Sequence, residues 1–184
     1  MIVPALLAIL LLAAGVCALH GHNAVSLRGT VQVSGYSLTD GAAEGLVPIV
    51  HDPWEDNGVL YISGALLRPG QQVGAVNVRA ALLPQALIEG EPAKTQETAI
   101  LLNTQMVRRT ELAQQYGCDD HCGFYAAVQT DRLPEGTYQY RVMLADETDN
   151  GKRMIDTGLT VTPIEGGLAF ARANPPEVEA QGDE

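Results

Sequence analysis

Apolar and polar residues alternate with a period of two along much of the chain between residues 30 and 163. Alternation of this kind, in short runs bounded by turn residues, is typical of β-strands that bury one face. We therefore predict strands in the runs that show the pattern, which cover residues 31–39, 58–64, 73–83, 124–129, 138–145 and 154–161.

Turn residues separate these runs. Pro69-Gly70, Pro134 with Gly136, and Asn150-Gly151 combine fixed or positive φ angles with polar neighbours. Asn150-Gly151 lies between two predicted strands and predicts a hairpin with a loop slightly longer than two residues. One stretch, residues 104–116, contains good helix formers without Gly or Pro, and predicts one or two helical turns.

About seven short strands with one short helix predict an all-β protein, an immunoglobulin-like two-sheet β-sandwich, with a closed barrel as the alternative. Strands and helices do not alternate, which argues against a doubly wound fold. We place the sandwich domain at residues 30–163, after a linker at 20–29. Residues 164–184, with Gly166-Gly167, Pro175-Pro176 and several acidic residues, predict an acidic disordered tail.

Residues 2–19 contain no charged side chain, and the first Lys, Arg, Asp or Glu after Met1 is Arg28. This N-terminal hydrophobic helix is just long enough to span a membrane as an anchor. Alternatively, residues 1–19 are a signal peptide, because Val16-Cys17-Ala18 offers a cleavage site, although no basic residue precedes the apolar run. A lipid on Cys17 is a third reading. Each of them predicts export, to an anchored extracytoplasmic position or to the cell surface or medium.

The formal net charge is −11, from 22 acidic and 11 basic residues. Such a chain repels phosphate backbones and anionic lipid headgroups. We therefore predict no nucleic-acid partner, and membrane contact only through the N-terminal helix if it is not cleaved.

The segment Cys118-Asp-Asp-His-Cys122 places two thiols, two carboxylates and an imidazole within five residues. In an exported protein the two cysteines predict a small disulfide that fixes the shape of this loop. A zinc or copper site that includes His121, or free thiols, are the alternatives, although structural zinc sites usually need four ligands. His20 and His22, just after the apolar segment, would offer copper ligands if cleavage exposed His20.

The segment from His51 to Asn57 contains the only tryptophan, Trp54, together with three carboxylates. We predict a surface loop in which Trp54 packs on the sandwich. The functional hypothesis is that Trp54, His51, Asp52, Glu55 and Asp56 contact a protein partner, since Trp is enriched at interfaces. Calcium binding is another hypothesis, but the spacing matches no EF-hand.

No motif commits the chain to catalysis. Ser26, Ser34, Ser37 and Ser63 lie outside any Gly-x-Ser-x-Gly elbow, and no glycine-rich phosphate loop is present. We predict no catalytic residue, no cofactor and no enzymatic activity. A small hydrolase would need a converging Ser, His and Asp cluster.

Several short motifs along residues 30–163 resemble immunoglobulin-like accessory domains of bacterial cell-surface and exported proteins. They are Val33-Ser-Gly-Tyr-Ser37, an Arg at 108 or 109, Tyr116, Gly123-Phe124, Leu133-Pro-Glu-Gly-Thr-Tyr138, Asp146 and Asn150-Gly151. The insertion at 47–57 and the Cys118–Cys122 loop depart from that family. The resemblance implies a binding or spacer module, and it transfers no functional residue.

Together these features predict a non-enzymatic extracytoplasmic module for structure or interaction. It would be an accessory subunit of a cell-envelope or membrane-associated assembly, with a protein partner there. The alternative is a copper- or zinc-binding periplasmic or surface protein that uses His20, His22 and His121.

Overall fold

The computed structural model of the chain describes residues 27–40, 45–70, 78–87, 94–133, 138–148 and 151–173. Three predicted segments lie outside the described residues. They are the N-terminal helix at 1–19, most of the linker with His20 and His22, and residues 174–184. In chain order the elements are β1 (Leu27–Gln32), a 3₁₀ turn (Val33–Gly35), β2 (Ser37–Thr39), β3 (Val47–Val50), β4 (Trp54–Asp56), β5 (Val59–Leu67), β6 (Val78–Ala86), β7 (Lys94–Thr95), β8 (Thr98–Leu102), β9 (Thr104–Val107), helix α1 (Thr110–Tyr116), β10 (Gly123–Gln129), a second 3₁₀ turn (Thr130–Arg132), β11 (Tyr138–Thr148), β12 (Gly151–Ile164) and β13 (Gly167–Arg172).

These strands form two sheets. The eight-stranded sheet has the order β1-β8-β6-β11-β12-β13, with β2 beside β12 and β7 beside β6. The five-stranded sheet has the order β3-β5-β10-β9, with β4 beside β5. The strand pairs are antiparallel except β2 with β12. The predicted all-β, two-sheet class is therefore confirmed, and within the described ranges no helix is long and apolar enough to cross a membrane.

The main core lies between the two sheets. Leu60 and Ile62 of β5 and Phe124 of β10 pack there with Val142 and Leu144 of β11, and all five are fully buried. The alternate residues of β5 point away from this core, as the period-two pattern predicts. Burying a large apolar side chain stabilises the fold by about 1.5–3 kcal/mol, so this cluster holds the sheets face to face.

The eight-stranded sheet is also covered on its outer face. The chain leaves β1, beside β8, and reaches β2, beside β12, so it crosses this face at the 3₁₀ turn. Val33 and Tyr36 pack there against buried Leu83, Met143 and Met154. Because both faces are buried, residues 80–83 of β6 form an unbroken apolar run rather than an alternating one.

The one or two helical turns predicted within residues 104–116 are present, but only in the second half of that segment. Residues Thr104–Val107 form strand β9, which pairs with β10 from Gly123↔Val107 to Ala126↔Thr104. Only Thr110–Tyr116 is helical, and Gly117 ends it in the left-handed conformation with φ 61°. Pairing with a sheet neighbour overrides the weak intrinsic helix preference of this segment.

The sandwich extends beyond the predicted boundary at residue 163. Strand β13, within the predicted tail, pairs with β12 from Leu159↔Arg172 to Ile164↔Gly167. Leu168 packs against the main core. Arg172 donates a hydrogen bond to the Val50 carbonyl of β3 at 2.9 Å, which links the two sheets. At the other end, β1 begins at Leu27, inside the predicted linker.

Candidate functional site

Trp54, which was predicted to lie in a surface loop, belongs to a short hairpin. Strand β4 pairs with β5, with Trp54 opposite Tyr61 and Asp56 opposite Val59. The two turn residues, Asn57 and Gly58, both have positive φ, 50° and 72°. Positive φ at both positions is the geometry of a two-residue hairpin turn, for which Asn-Gly is the favoured sequence.

Three aromatic side chains gather on the outer face of the five-stranded sheet, and we name Trp54, Tyr61 and Tyr125 the aromatic surface. The Trp54 and Tyr61 rings stack, with centroids 5.1 Å apart and planes 15° apart. The Tyr125 centroid lies 6.4 Å from that of Trp54 and 6.0 Å from that of Tyr61. Trp54 remains 44% exposed. Burial, followed by the neighbouring Tyr61, raises the pKa of Tyr125, so its phenol stays protonated.

Strand order explains why these rings meet. Tyr61 and Tyr125 belong to β5 and β10, which are neighbours with Tyr61 opposite Ala127 and Tyr125 opposite Ser63. Diagonal neighbours on one face of a sheet lie within reach of aromatic side chains. The small side chain of Ala127 leaves room above the sheet for the larger rings.

The strands beneath the aromatic surface carry only negative charges, although the Arg109 side chain lies nearby, over Gly123 at the start of β10. Strands β3, β4, β5, β9 and β10 contain no Lys or Arg, and their charged residues are Glu55 and Asp56 of β4. Side chains alternate along a strand, so Asp56 shares the face of Trp54 while Glu55 points to the other side. Asp52, with 96% of its side chain exposed, forms an ion pair with Arg172 at 3.2 Å. The exposed His51 is tied to β5 through a backbone hydrogen bond from its N–H to the Ser63 carbonyl at 2.9 Å.

Glu55 lines a cleft of about 490 Å³ at the end of the sandwich. Two further carboxylates, Asp131 and Glu165, and the apolar side chains of Leu133 and Ile164 also line it. The cleft lies between β4, the second 3₁₀ turn and the β12–β13 hairpin. Strand β4 thus has an acidic group on each of its faces.

The predicted disulfide is not formed in the structure, where Cys118 and Cys122 are free thiols. Both are buried and pack as small apolar side chains against Ala65 and Leu67 of β5 and Leu112 of α1. Burial, together with the adjacent Cys118, raises the pKa of Cys122 from 9.0 to about 11. Cys122 is therefore a neutral thiol near pH 7 and a poor nucleophile there.

The proposed ligands in this loop divide into two groups. Ligand atoms of Asp119, Asp120 and His121 lie within 4.8 Å of one another, and the two cysteines do not belong to this group of described residues. Both nitrogens of His121 are engaged. Its Nε2 accepts a hydrogen bond from Arg108 Nε at 3.0 Å, and its Nδ1 lies 2.8 Å from Asp120 Oδ1. The backbone N–H of His121 donates to Asp119 at 2.8 Å, which lowers the pKa of Asp119.

The structure thus places Trp54 beside Tyr61 and Tyr125, with Asp56 at the next outward position of β4. The two tyrosines were not among the predicted contact residues, and Asp52 pairs instead with Arg172 of β13. Tyr61 and Tyr125 carried a signal, because each lies at an outward position of a predicted alternating strand. No protein-family model matches the chain, and neither a curated protein nor a solved structure shows significant similarity to it.

Proposed function

We propose that this chain is a non-enzymatic interaction module, an accessory subunit of a cell-envelope or membrane-associated assembly, with the aromatic surface as its contact site. The observation that carries the proposal is the half-exposed Trp54, held on Tyr61 and Tyr125 on an open sheet face. Exposed aromatic clusters on otherwise polar surfaces commonly mark interaction sites, and Trp and Tyr dominate interface energetics.

The strand order supports an immunoglobulin-like sandwich. The order β3-β5-β10-β9 corresponds to strands A-B-E-D of that fold, and β8-β6-β11-β12 corresponds to C′-C-F-G. Tyr140, fully buried near the start of β11, belongs to the core between the two sheets. Domains with this architecture commonly recognise other proteins, although fold alone does not define a function.

The uncharged residues 2–19 support a place outside the cytoplasm, as an anchored or released domain. In either case the sandwich would meet its partner at the envelope.

Photo-crosslinking from two surface positions tests the contact site. Gln105 of β9 is exposed, lies opposite Tyr125 and shares the face of the aromatic surface, while exposed Glu97 lies beside β8 of the other sheet. With a photoreactive residue at each position in turn, in the cells that make the protein, we expect a discrete adduct from position 105 alone. Trp54→Ala should remove that adduct without a large change in melting temperature. Equal adducts from both positions, or none from position 105, would contradict the proposal.

Metal binding is the second candidate, favoured by the grouping of Asp119, Asp120 and His121. Copper or zinc would have to displace Arg108 from Nε2 of His121 or the carboxylates from its Nδ1. Titration of the purified protein with each ion tests this, because His121→Ala should then abolish stoichiometric binding. Unchanged uptake by that variant would exclude this loop.

A further inference from the structure

We infer that the partner presents an extended segment carrying arginine side chains to the aromatic surface. The inference rests on the proposed function and specifies its partner. Three observations support it: the negative charge around Trp54, the exposure of its ring, and the open edge of β4.

Charge selects a cationic partner. The five strands beneath the aromatic surface contain two charged residues, Glu55 and Asp56, and both are acidic. Two cations lie near this face. Arg172 is already bound to Asp52 and to the Val50 carbonyl. The Arg109 side chain lies over Gly123 on the β9 side, away from β4. The whole chain carries a net charge of −11, so a second copy of this chain would be repelled while a basic segment would be attracted.

The exposed indole favours arginine among cations. Trp is the aromatic ring that binds cations most strongly, and a guanidinium can stack on the ring while its N–H groups bond a carboxylate. Asp56 lies two residues from Trp54 on the same face of β4, which places such a carboxylate near the ring. The stacked Tyr61 holds the indole in place before binding, and this pre-ordering reduces the entropy lost on association.

The edge of β4 favours an extended segment. Among the described strands β4 pairs only with β5, so its other edge presents free backbone groups. A partner segment that adds as a strand there would direct alternate side chains to Trp54 and Asp56 on one face. The side chains between them would meet Glu55 and the acidic cleft shared with Asp131 and Glu165.

Peptide binding tests the inference directly, because Trp54 is the only tryptophan and its emission reports on the site. The probes are peptides of roughly nine residues that alternate arginine with threonine, a length that suits strand addition. Matched peptides carry lysine or uncharged citrulline in place of arginine. We expect saturable quenching of Trp54 by the arginine peptide, weaker binding of the lysine peptide, and binding of the citrulline peptide weaker by about tenfold or more.

Variants of the full chain locate the binding. By calorimetry, Trp54→Leu should weaken binding of the arginine peptide about 30-fold, as expected for an interface hot spot. Asp56→Asn should weaken it about tenfold, whereas the matched charge change Glu97→Gln on the other sheet should have no effect.

The outcomes separate this inference from the proposed function. The inference of an arginine-bearing partner would be wrong if the arginine and citrulline peptides bind equally or if the arginine peptide does not bind. It would also be wrong if Trp54→Leu leaves the binding unchanged. Self-association that Trp54→Leu abolishes would replace it with a second copy. If the adduct from position 105 depends on Trp54 but the arginine peptide does not bind, the interaction module stands and only the partner chemistry fails.

Discussion

Arg68 and Asp146 are a pair of opposite charges buried between the two sheets. Their side chains are 5% and 0% exposed, and Arg68 Nη2 lies 2.5 Å from Asp146 Oδ1. Among the described residues, the two Nη atoms of Arg68 and the two carboxylate oxygens of Asp146 have no hydrogen-bond partner besides this ion pair. A buried pair of this kind gives little net stability, because desolvation offsets the attraction, but each charge depends on the other.

Removing one partner should therefore be far more damaging than removing both. We expect Asp146→Ala to lower the free energy of unfolding by about 3–5 kcal/mol, since it leaves Arg68 buried without a counter-charge. The double variant Arg68→Met with Asp146→Leu should remain within roughly 1–2 kcal/mol of the wild type or exceed it. Urea unfolding of the three proteins measures both changes. If Asp146→Ala is as stable as the double variant, the Arg68 guanidinium must be solvated in the absence of Asp146.

Cys122 provides a test that depends on pH. Its pKa is raised from 9.0 to about 11 because the fold buries the neutral thiol. Because the thiol has a higher pKa in the folded state than its unfolded value of 9.0, it contributes its full stabilisation at pH values below 9.0. This contribution is lost as the pH rises toward about 11. The stability difference between wild type and Cys122→Ala should accordingly shrink over that range.

The same burial protects the thiol from alkylation. At about pH 8 we expect iodoacetamide to modify Cys122 much faster in urea-unfolded protein than in the native fold, as followed by peptide mass mapping. Equal rates in the two states would contradict the buried thiol.

At the level of elements, pairing decided what local preference left open. Residues 104–107 have helix-forming composition but become β9, because β10 offers them a neighbouring strand. Residues 167–172 lie in a segment rich in glycine and acidic residues, yet they complete the sheet as β13. In both segments a distant strand supplied hydrogen bonds that the local sequence does not reveal.

Strand β13 should be required for stability although it lies in the predicted tail. A chain ending at Pro163 loses the packing of Leu168 and the Arg172 hydrogen bond to Val50. We expect its free energy of unfolding to be about 3 kcal/mol lower than that of the full chain. A matched chain ending at Ala173 keeps β13, and its free energy of unfolding should stay within about 0.5 kcal/mol of that of the full chain. If both shortened chains are equally stable, β13 contributes nothing to the fold.

For the whole molecule, coverage of the two sheets is unequal, and this leaves one sheet face open for the proposed partner. The eight-stranded sheet is buried on both faces. The five-stranded sheet is covered outside near α1, where Leu112 and Tyr116 pack, but remains open around Trp54. The location of the proposed contact surface therefore follows from how the chain distributes its covering segments.

Because one core contains residues of both sheets, the sandwich should unfold as a single unit. Trp54 reports on the five-stranded sheet, while far-ultraviolet circular dichroism reports on the strands of both sheets. We expect the two signals to give the same urea midpoint. Separate midpoints would mean that the β4 hairpin, or its whole sheet, unfolds independently of the other.

The sequence alone was enough to predict the all-β class, most strand positions and the β11–β12 hairpin, because alternation and turn residues are local properties. Which strands are neighbours depends on the tertiary fold. It thereby placed Tyr61 and Tyr125 beside Trp54, joined Arg68 to Asp146, and left Cys118 and Cys122 as packed thiols. These relations depend on contacts between residues far apart in the chain, and hydrophobic burial, being non-directional, does not specify partners from a local pattern.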